Sequence, residues 1–382
     1  MPHSATNPSR VGIVGRLVGS TDSWSGIPEG LAEGLRRLGL DPFFLSAEPS
    51  ERTNDLARRW MDLTGRMDAS WAQTPEMMLL RSSLARMRRS RQPVTSHWVQ
   101  MGSEFGHPVG NFVTFEDMTV AQASEMPDYP PLRTSVKQSW IRRQKEIYRR
   151  AKACLVASRW AGAGLAVYGV NAEKVHVVGF GCNLQVAVDQ RDWSTPRFLF
   201  VGLGWTRKNG DEVVGAFSDL RRDHPQARLD LVGDHPRIDQ PGVVCHGELR
   251  RDVTTERTKL ESLLRESTCL VVPSTYEPFG IVYAEAGWAG MPSIGTTIGG
   301  ASDAIGSGGI VVDPHQPDQL IRAMRAMSEP DRAYVLGLEA QQHARLLTWD
   351  IVARRVAGSL GMLGGDPEPD LPLSEPMKAS LL

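Results

Sequence analysis

Cysteine is scarce in this 382-residue chain: the four (Cys154, Cys182, Cys245 and Cys269) lie far apart and form no C-x-x-C pair. That argues against a disulfide scaffold or a zinc site, and leaves a reduced cytosol as the default compartment. An excess of one charge is also missing. Lys+Arg 43 against Asp+Glu 44 gives a net −1, without the basic surplus that nucleic-acid binders usually carry. No apolar run approaches the roughly 20 residues that span a bilayer. The opening MPHSATNPSR has no apolar stretch of a secretory signal. What is present is ordinary for a soluble globular protein, 41% hydrophobic and 23% charged, and long enough for two domains.

Short apolar runs rich in β-branched residues recur throughout, bounded by Gly, Pro or polar residues. They fall at 11–15, 42–47, 95–103, 111–118, 153–159 and 174–181, then at 197–204, 227–234, 243–247, 268–274, 293–298 and 308–314. Several are continuously apolar, as in CLVV at 269–272 and FLFV at 198–201. Strands buried on both faces read this way, which points to parallel sheets. Helical periodicity separates many of them: Trp140, Ile141, Ile147, Tyr148 and Ala151 share one face, as do Val213, Val214, Phe217 and Leu220. The alternation predicts an α/β protein of two doubly wound, Rossmann-like domains facing each other across a cleft, 1–188 and 189–360, with the seam in the polar stretch 182–196. The Pro-rich remainder, 361–382, reads as an extended or disordered tail. Residues 50–92 hold nine Arg among five acidic residues and five Met. This could be a basic amphipathic surface for peripheral contact with a membrane or an anionic acceptor. Its interleaved acids favour a pair of ordinary surface helices.

The strongest chemical signal is STYEPFGIVYAEAGWAGMPSIG at 274–295. A buried strand ends near Ser274, Glu277 lies in the following loop, and a helix begins around Phe279–Gly280. The first N–H groups of such a helix, at Phe279, Gly280 and Ile281, have no intrahelical acceptor and suit an anion or a polar ligand. Glu277 and Glu285 add two carboxylates able to grip hydroxyls. An ordinary turn, with Glu277 as an exposed cap and Glu285 on a solvated face, is the plainer alternative. The second signal is RFLFVGLGWTRKNGDEVVGAF at 197–217, where a glycine turn (Gly202, Gly204) leads to Arg207, Lys208 and a helix start. Two cations beside a helix N-terminus make a site for phosphate oxygens.

At these residues the chain resembles the retaining glycosyltransferases of the GT-B fold, family four, also called group 1. The E-x7-E signature runs from Glu277 to Glu285 and reads EPFGIVYAEA within it, and GWTRKNG stands at the phosphate turn. Stretches 157–183, 296–314 and 348–356 also match, so the likeness is strong over 153–360 and fold-level over 1–150. The resemblance implies a hexosyltransferase-type enzyme that retains anomeric configuration, with a nucleoside-diphosphate sugar as its substrate and no cofactor. Glu277 would bond the donor sugar with the 279–281 amides beside it, Glu285 the ribose, and Arg207 and Lys208 the diphosphate. The segment 244–249, with Cys245 and Leu249, would lie against the base, and Ser25 and Gly26 would meet the phosphates from the first domain. Where many members carry a first-domain His, this chain reads NFVTFEDMTVAQ, with Glu116 and Asp117 in its place; His97 and His107 lie earlier. No D-x-D triad occurs, which fits a metal-independent reaction. The acceptor is open: a sugar, a lipid-linked or a natural-product hydroxyl. Two competing classes are a phosphorylase or epimerase of the same twin-domain fold, and a nucleotide-sugar-binding protein without transferase activity.

Overall fold

The computed structural model describes residues 9–16, 18, 23–64, 74–92, 95–103, 105–106, 110–127, 129, 132–364 and 368–381. The chain divides into two compact units, Met1–Gly181 with Trp349–Leu371, and Cys182–Thr348 with Pro372–Leu382.

In the first unit the elements run β1 (Arg10–Gly15), α1 (Ile27–Arg37), β2 (Asp41–Ser46), α2 (Glu51–Leu63), α3 (Pro75–Arg89), β3 (His97–Met101), β4 (Asn111–Glu116), α4 (Val120–Ala123), α5 (Thr134–Arg150), β5 (Ala153–Val156), α6 (Arg159–Gly164) and β6 (Val175–Val177). The six strands form one parallel sheet in the order β2-β1-β3-β4-β5-β6. Chain direction along the sheet reverses between β1 and β3, which makes the carboxyl ends of those strands its switch point. Val11, Ile13, Val14, Val99, Val113 and Phe115 are all buried, as expected of strands covered on both faces. Glycine is required where α1 begins: Gly26 enters it at φ 77°, a left-handed conformation that β-carbons resist.

The second unit holds β7 (Arg197–Gly202), α7 (Gly210–Asp223), β8 (Arg228–Gly233), β9 (Val243–Gly247), α8 (Thr254–Glu266), β10 (Cys269–Val271), α9 (Ile281–Trp288), β11 (Ser293–Thr296), α10 (Ala301–Ile305), β12 (Gly309–Val312), α11 (Pro317–Met327) and α12 (Pro330–Ala344). Its parallel sheet is ordered β13-β12-β11-β10-β7-β8-β9, where β13 is Met377–Lys378. The reversal falls between β7 and β10. The core of α7 is the predicted one, with Val213, Val214, Phe217 and Leu220 inside.

Two segments depart from the domain boundaries read from sequence. Helix α13 (Trp349–Leu360) packs in the first unit rather than closing a 189–360 domain. The reason is steric. Gly30 and Gly34, one turn apart on α1, leave a notch filled by Trp349; a Cβ on Gly30 would sit 2.1 Å from the indole. Arg355 then donates to the carbonyls of Val178 (2.8 Å) and Pro369 (2.7 Å). The Pro-rich end is extended but held in place: Leu371 is buried, and its N–H donates to Val177 O at 2.7 Å. Further on, β13 pairs with β12 as the seventh strand of the second sheet.

Within 50–92, α2 and α3 are the surface helices expected there, and 65–73 lie outside the described residues. Ser50 and Thr74 cap their N-termini. Helix α2 buries Met61 and leaves Leu56, Trp60 and Leu63 exposed along one stripe. Among the described residues no helix is long and apolar enough to cross a membrane.

Candidate functional site

Two loops meet at the carboxyl edge of the second sheet, on either side of its switch point. The one after β7 carries Arg207 and Lys208; the one after β10 carries Ser274 and Glu277. Their backbones are joined where Thr275 N–H donates to Arg207 O at 2.8 Å. The Thr275 hydroxyl donates to the same oxygen at 3.2 Å. The loop after β11 clamps Glu277 from the other side. Glu277 N–H donates to Ile298 O at 3.0 Å and Glu277 O accepts from Gly300 N–H at 2.8 Å. Gly299 is needed for this approach, since a Cβ there would lie 2.2 Å from Glu277 O.

The side chains converge on one carboxylate oxygen. Glu277 Oε2 pairs with Lys208 Nζ in a short contact, with Arg207 Nη1 at 3.5 Å and with the Ser274 hydroxyl at 3.2 Å. Glu277 and Lys208 are each 7% exposed, so neither is a solvated turn residue. Burial opposes ionisation of Glu277, but Lys208 and Arg207 outweigh it and hold its carboxyl below the ordinary value. Lys208 is drawn down instead, because burial and the like charge of Arg207 exceed the pull of Glu277. The trio carries one negative and two positive charges, a net cation at a helix-rich edge suited to an anion. Gly202 makes room for it, with a notional Cβ only 3.1 Å from the Lys208 stem.

Gly280 follows at φ 83° and opens α9, whose first residue is Ile281; Phe279 is buried beneath. Glu285 sits one turn further and is 1% exposed. Both of its oxygens are taken by Arg251, Nη1 to Oε1 at 2.6 Å and Nη2 to Oε2 at 2.8 Å. Burial raises the Glu285 carboxyl above its ordinary value despite that pair. Gly204, at φ 82°, spends its N–H on Asp234, 2.8 and 2.9 Å from the two carboxylate oxygens. Cys245 is exposed on β9 and Leu249 is half-buried beyond it. Strand β9 lies three strand spacings from β10, about 14 Å. Sequence reading missed Arg251 and Asp234: they meet Glu285 and Gly204 from 34 and 30 residues away, and no local spacing announces that.

The first unit treats its candidates differently. Ser25 is exposed at φ 54°, beside Gly26. Glu116 is buried, with Oε2 accepting from Tyr148 OH at 2.6 Å; burial and this carboxylate push the Tyr148 phenol well above its usual range. Asp117 is half-buried next to it. His97 begins β3 and is thus at the amino edge of the sheet, with Nδ1 3.0 Å from Ser96 Oγ. His107 lies outside the described residues.

Comparison with known proteins now bears on this geometry. Residues 195–329 match the family model described as glycosyl transferases group 1. Within the group 1 match lie the whole Arg207–Lys208–Glu277 cluster and the Arg251–Glu285 pair. The chain is 30% identical over 191 residues to a glycogen synthase of Mycobacterium tuberculosis, covering 46% of each. It is 27% identical over 218 residues to a D-inositol 3-phosphate glycosyltransferase of Jonesia denitrificans, covering 49% of this chain and 51% of that one. It therefore spans about half the length of the curated relatives it matches. Among solved structures, sucrose-phosphate synthase from Thermosynechococcus elongatus superposes with TM-score 0.67 at 18% identity, over 90% of this chain and 96% of that one. Anabaena Alr3699/HepE, solved with UDP and glucose, gives TM-score 0.61 at 14% identity, over 93% and 100%. The fold is that of the GT-B glycosyltransferases.

Proposed function

We propose that this protein is a group 1 glycosyltransferase that transfers a sugar from a nucleoside-diphosphate-sugar donor to an acceptor hydroxyl, with retention of anomeric configuration and without a metal ion. The observation that carries the reading is the convergence of Lys208, Arg207 and Ser274 on Glu277 at the switch point of the second sheet. Doubly wound sheets take their ligands at that place. In this reading Arg207 and Lys208 meet the diphosphate and stabilise it as it departs. Glu277 faces the sugar as it gains positive charge, already ionised and fixed in direction before the reaction begins. No carboxylate is assigned as a nucleophile. The acceptor attacks from the leaving-group face, and a departing phosphate oxygen takes its proton. A nucleotide extended along the strand ends toward β9 would bring its base near Cys245 and Leu249, with the ribose at Glu285.

The Alr3699/HepE complexes contain UDP, glucose and UDP-glucose, which makes uridine diphosphate sugars the first donors to test. Four free thiols, three of them buried, support a cytosolic setting. The exposed Leu56–Trp60–Leu63 stripe supports peripheral membrane contact through α2. The deciding experiment is a thermal-shift panel of nucleoside diphosphates and their sugars, since a bound donor raises Tm with concentration. It is followed by NMR of the anomeric proton in the product. Epimer or sugar phosphate formed from donor without acceptor would replace the transferase by an epimerase or phosphorylase. Binding without turnover or slow hydrolysis would leave a nucleotide-sugar-binding protein. An inverted product would remove retention.

A further inference from the structure

His343, in the last turn of α12, is a buried titratable group that the site described above does not use. Its Nε2 lies 2.8 Å from the main-chain oxygen of Asp303 in α10. A carbonyl oxygen only accepts, so Nε2 carries the proton and donates in either charge state of the ring. Helix α10 has five residues, too few to be stable on its own hydrogen bonds. Its place is set by what it packs against. Backbone groups take two of its other carbonyls, Gly306 N–H at Ser302 O (2.9 Å) and Gly308 N–H at Ile305 O (3.3 Å). Gly306 lets the imidazole approach, since a Cβ there would lie 2.3 Å from the ring.

From Asp303 the bonding continues to the site. Asp303 N–H donates to Gly300 O at 3.0 Å, and Gly300 N–H donates to Glu277 O at 2.8 Å. Three successive hydrogen bonds, by way of residues 303 and 300, thus join the His343 imidazole to the main chain of Glu277. The far end of this series is firmly seated. Helix α12 is 15 residues long. Ala340, one turn before His343, is pressed against α9 and the segment after α10. A Cβ on Gly287 would stand 2.9 Å from Ala340 O, and one on Gly308 would stand 2.2 Å from Ala340 Cα. Surfaces packed this closely transmit a displacement rather than absorb it. The 298–300 clamp on Glu277 is therefore tied, through a short helix, to a long one.

We propose that His343 is a positioning residue for Glu277: by fixing α10 it holds the 298–300 clamp, and with it the direction of the Glu277 carboxylate. The inference rests on the glycosyltransferase reading, in which that carboxylate faces the reacting sugar. It adds a residue that acts through the backbone alone. A preorganised group loses its effect when its direction drifts, and a misplacement of about 1 Å can cost about 10²-fold in rate.

The test compares the full wild-type chain with His343→Leu, which fills the space without a donor, and His343→Gln, whose side-chain N–H can reach the same carbonyl. Leu336→Ala, a buried position on the same helix, controls for lost stability alone. Turnover of UDP-glucose, by transfer or slow hydrolysis, is measured well below the lowest Tm. His343→Leu should lower kcat about tenfold or more, while the Kd for UDP stays near the wild-type value. His343→Gln should recover most of the loss, and Leu336→Ala should lower Tm without lowering kcat. Hydrogen exchange gives a second readout. The 298–303 amides should exchange faster in His343→Leu than in wild type or His343→Gln, with those of β7 unchanged. A His343→Leu protein with lower Tm but wild-type kcat would make the histidine structural and overturn the proposal. So would a His343→Gln protein as slow as His343→Leu, or an equal loss of kcat in Leu336→Ala. Unchanged exchange at 298–303 would overturn it without reference to turnover. If wild type responds to no nucleoside diphosphate or its sugar, the glycosyltransferase reading falls, and hydrogen exchange still decides whether His343 braces the Glu277 loop.

Discussion

Arg251 closes both oxygens of Glu285 at 2.6 and 2.8 Å, so the second carboxylate of the E-x7-E signature is already paired in the ligand-free protein. The carboxylate is buried and Arg251 is partly exposed. Ribose hydroxyls that approach Glu285 must therefore share it with the guanidinium or displace that side chain.

Replacing Arg251 by Met should expose this dependence through pH. Glu285 is already raised above its ordinary 4.5 by burial, and the loss of Arg251 removes the first cause acting against it. The folded variant then binds a proton that the unfolded chain releases, so its stability falls as pH rises above about 4.5. The deficit against wild type should be small near pH 4.5 and grow toward pH 7, where a broken buried pair costs about 3–5 kcal/mol. Urea melts at pH 5, 6 and 7 measure it. A deficit that stays constant over that range would contradict the assignment.

Glu277→Gln should act on two quantities. Without the carboxylate, buried Lys208 and its neighbour Arg207 lose their counter-charge, so the ligand-free Tm should fall. Nucleoside diphosphate should recover much of the loss, since the ligand then supplies the negative charge. The kcat should drop about 10²-fold or more with a smaller change in donor KM, as for groups that act mainly in the transition state. Steady-state kinetics beside melting curves separate the two effects, and a wild-type kcat would refute the role given to Glu277.

Activity should survive excess EDTA. Arg207 and Lys208 supply the positive charge that a divalent cation would otherwise bring to the diphosphate. Loss on chelation, restored by Mg²⁺ or Mn²⁺, would contradict this.

Trp349→Ala should destabilise the first unit by about 3–5 kcal/mol, the usual cost of emptying a large buried site. The indole is 5% exposed and fills the notch over Gly30 and Gly34. Because α13 belongs to that unit, the nucleotide-induced shift, which reports the second unit, should persist in the variant. Its disappearance would show that α13 supports the donor site as well.

All twelve strands read from the apolar runs are present. An inner strand such as β10 is buried throughout and announces itself by continuous hydrophobicity. The edge strands β6 and β9 bury no residue and were read from their β-branched residues. The thirteenth, Met377–Lys378, was not legible. Two exposed residues in a Pro-rich stretch carry no such pattern, and only pairing with Ile310 and Val311 makes them a strand. The site was legible in part. Glu277, Arg207 and Lys208 stand next to glycine turns and helix starts, features written in adjacent residues. Their meeting on one oxygen was not, since the two loops are 69 positions apart.

The residues by themselves determined the strand–helix alternation, the parallel sheets and the chemistry available at the edge of the second one, because burial patterns and turn chemistry are local properties. Tertiary structure decided which groups neutralise one another. It brought Arg251 to Glu285 and Asp234 to Gly204, and placed α13 against α1 through a glycine notch. A charge's partner is set by which distant segments the packed core brings within about 3 Å, and sequence spacing does not encode that distance.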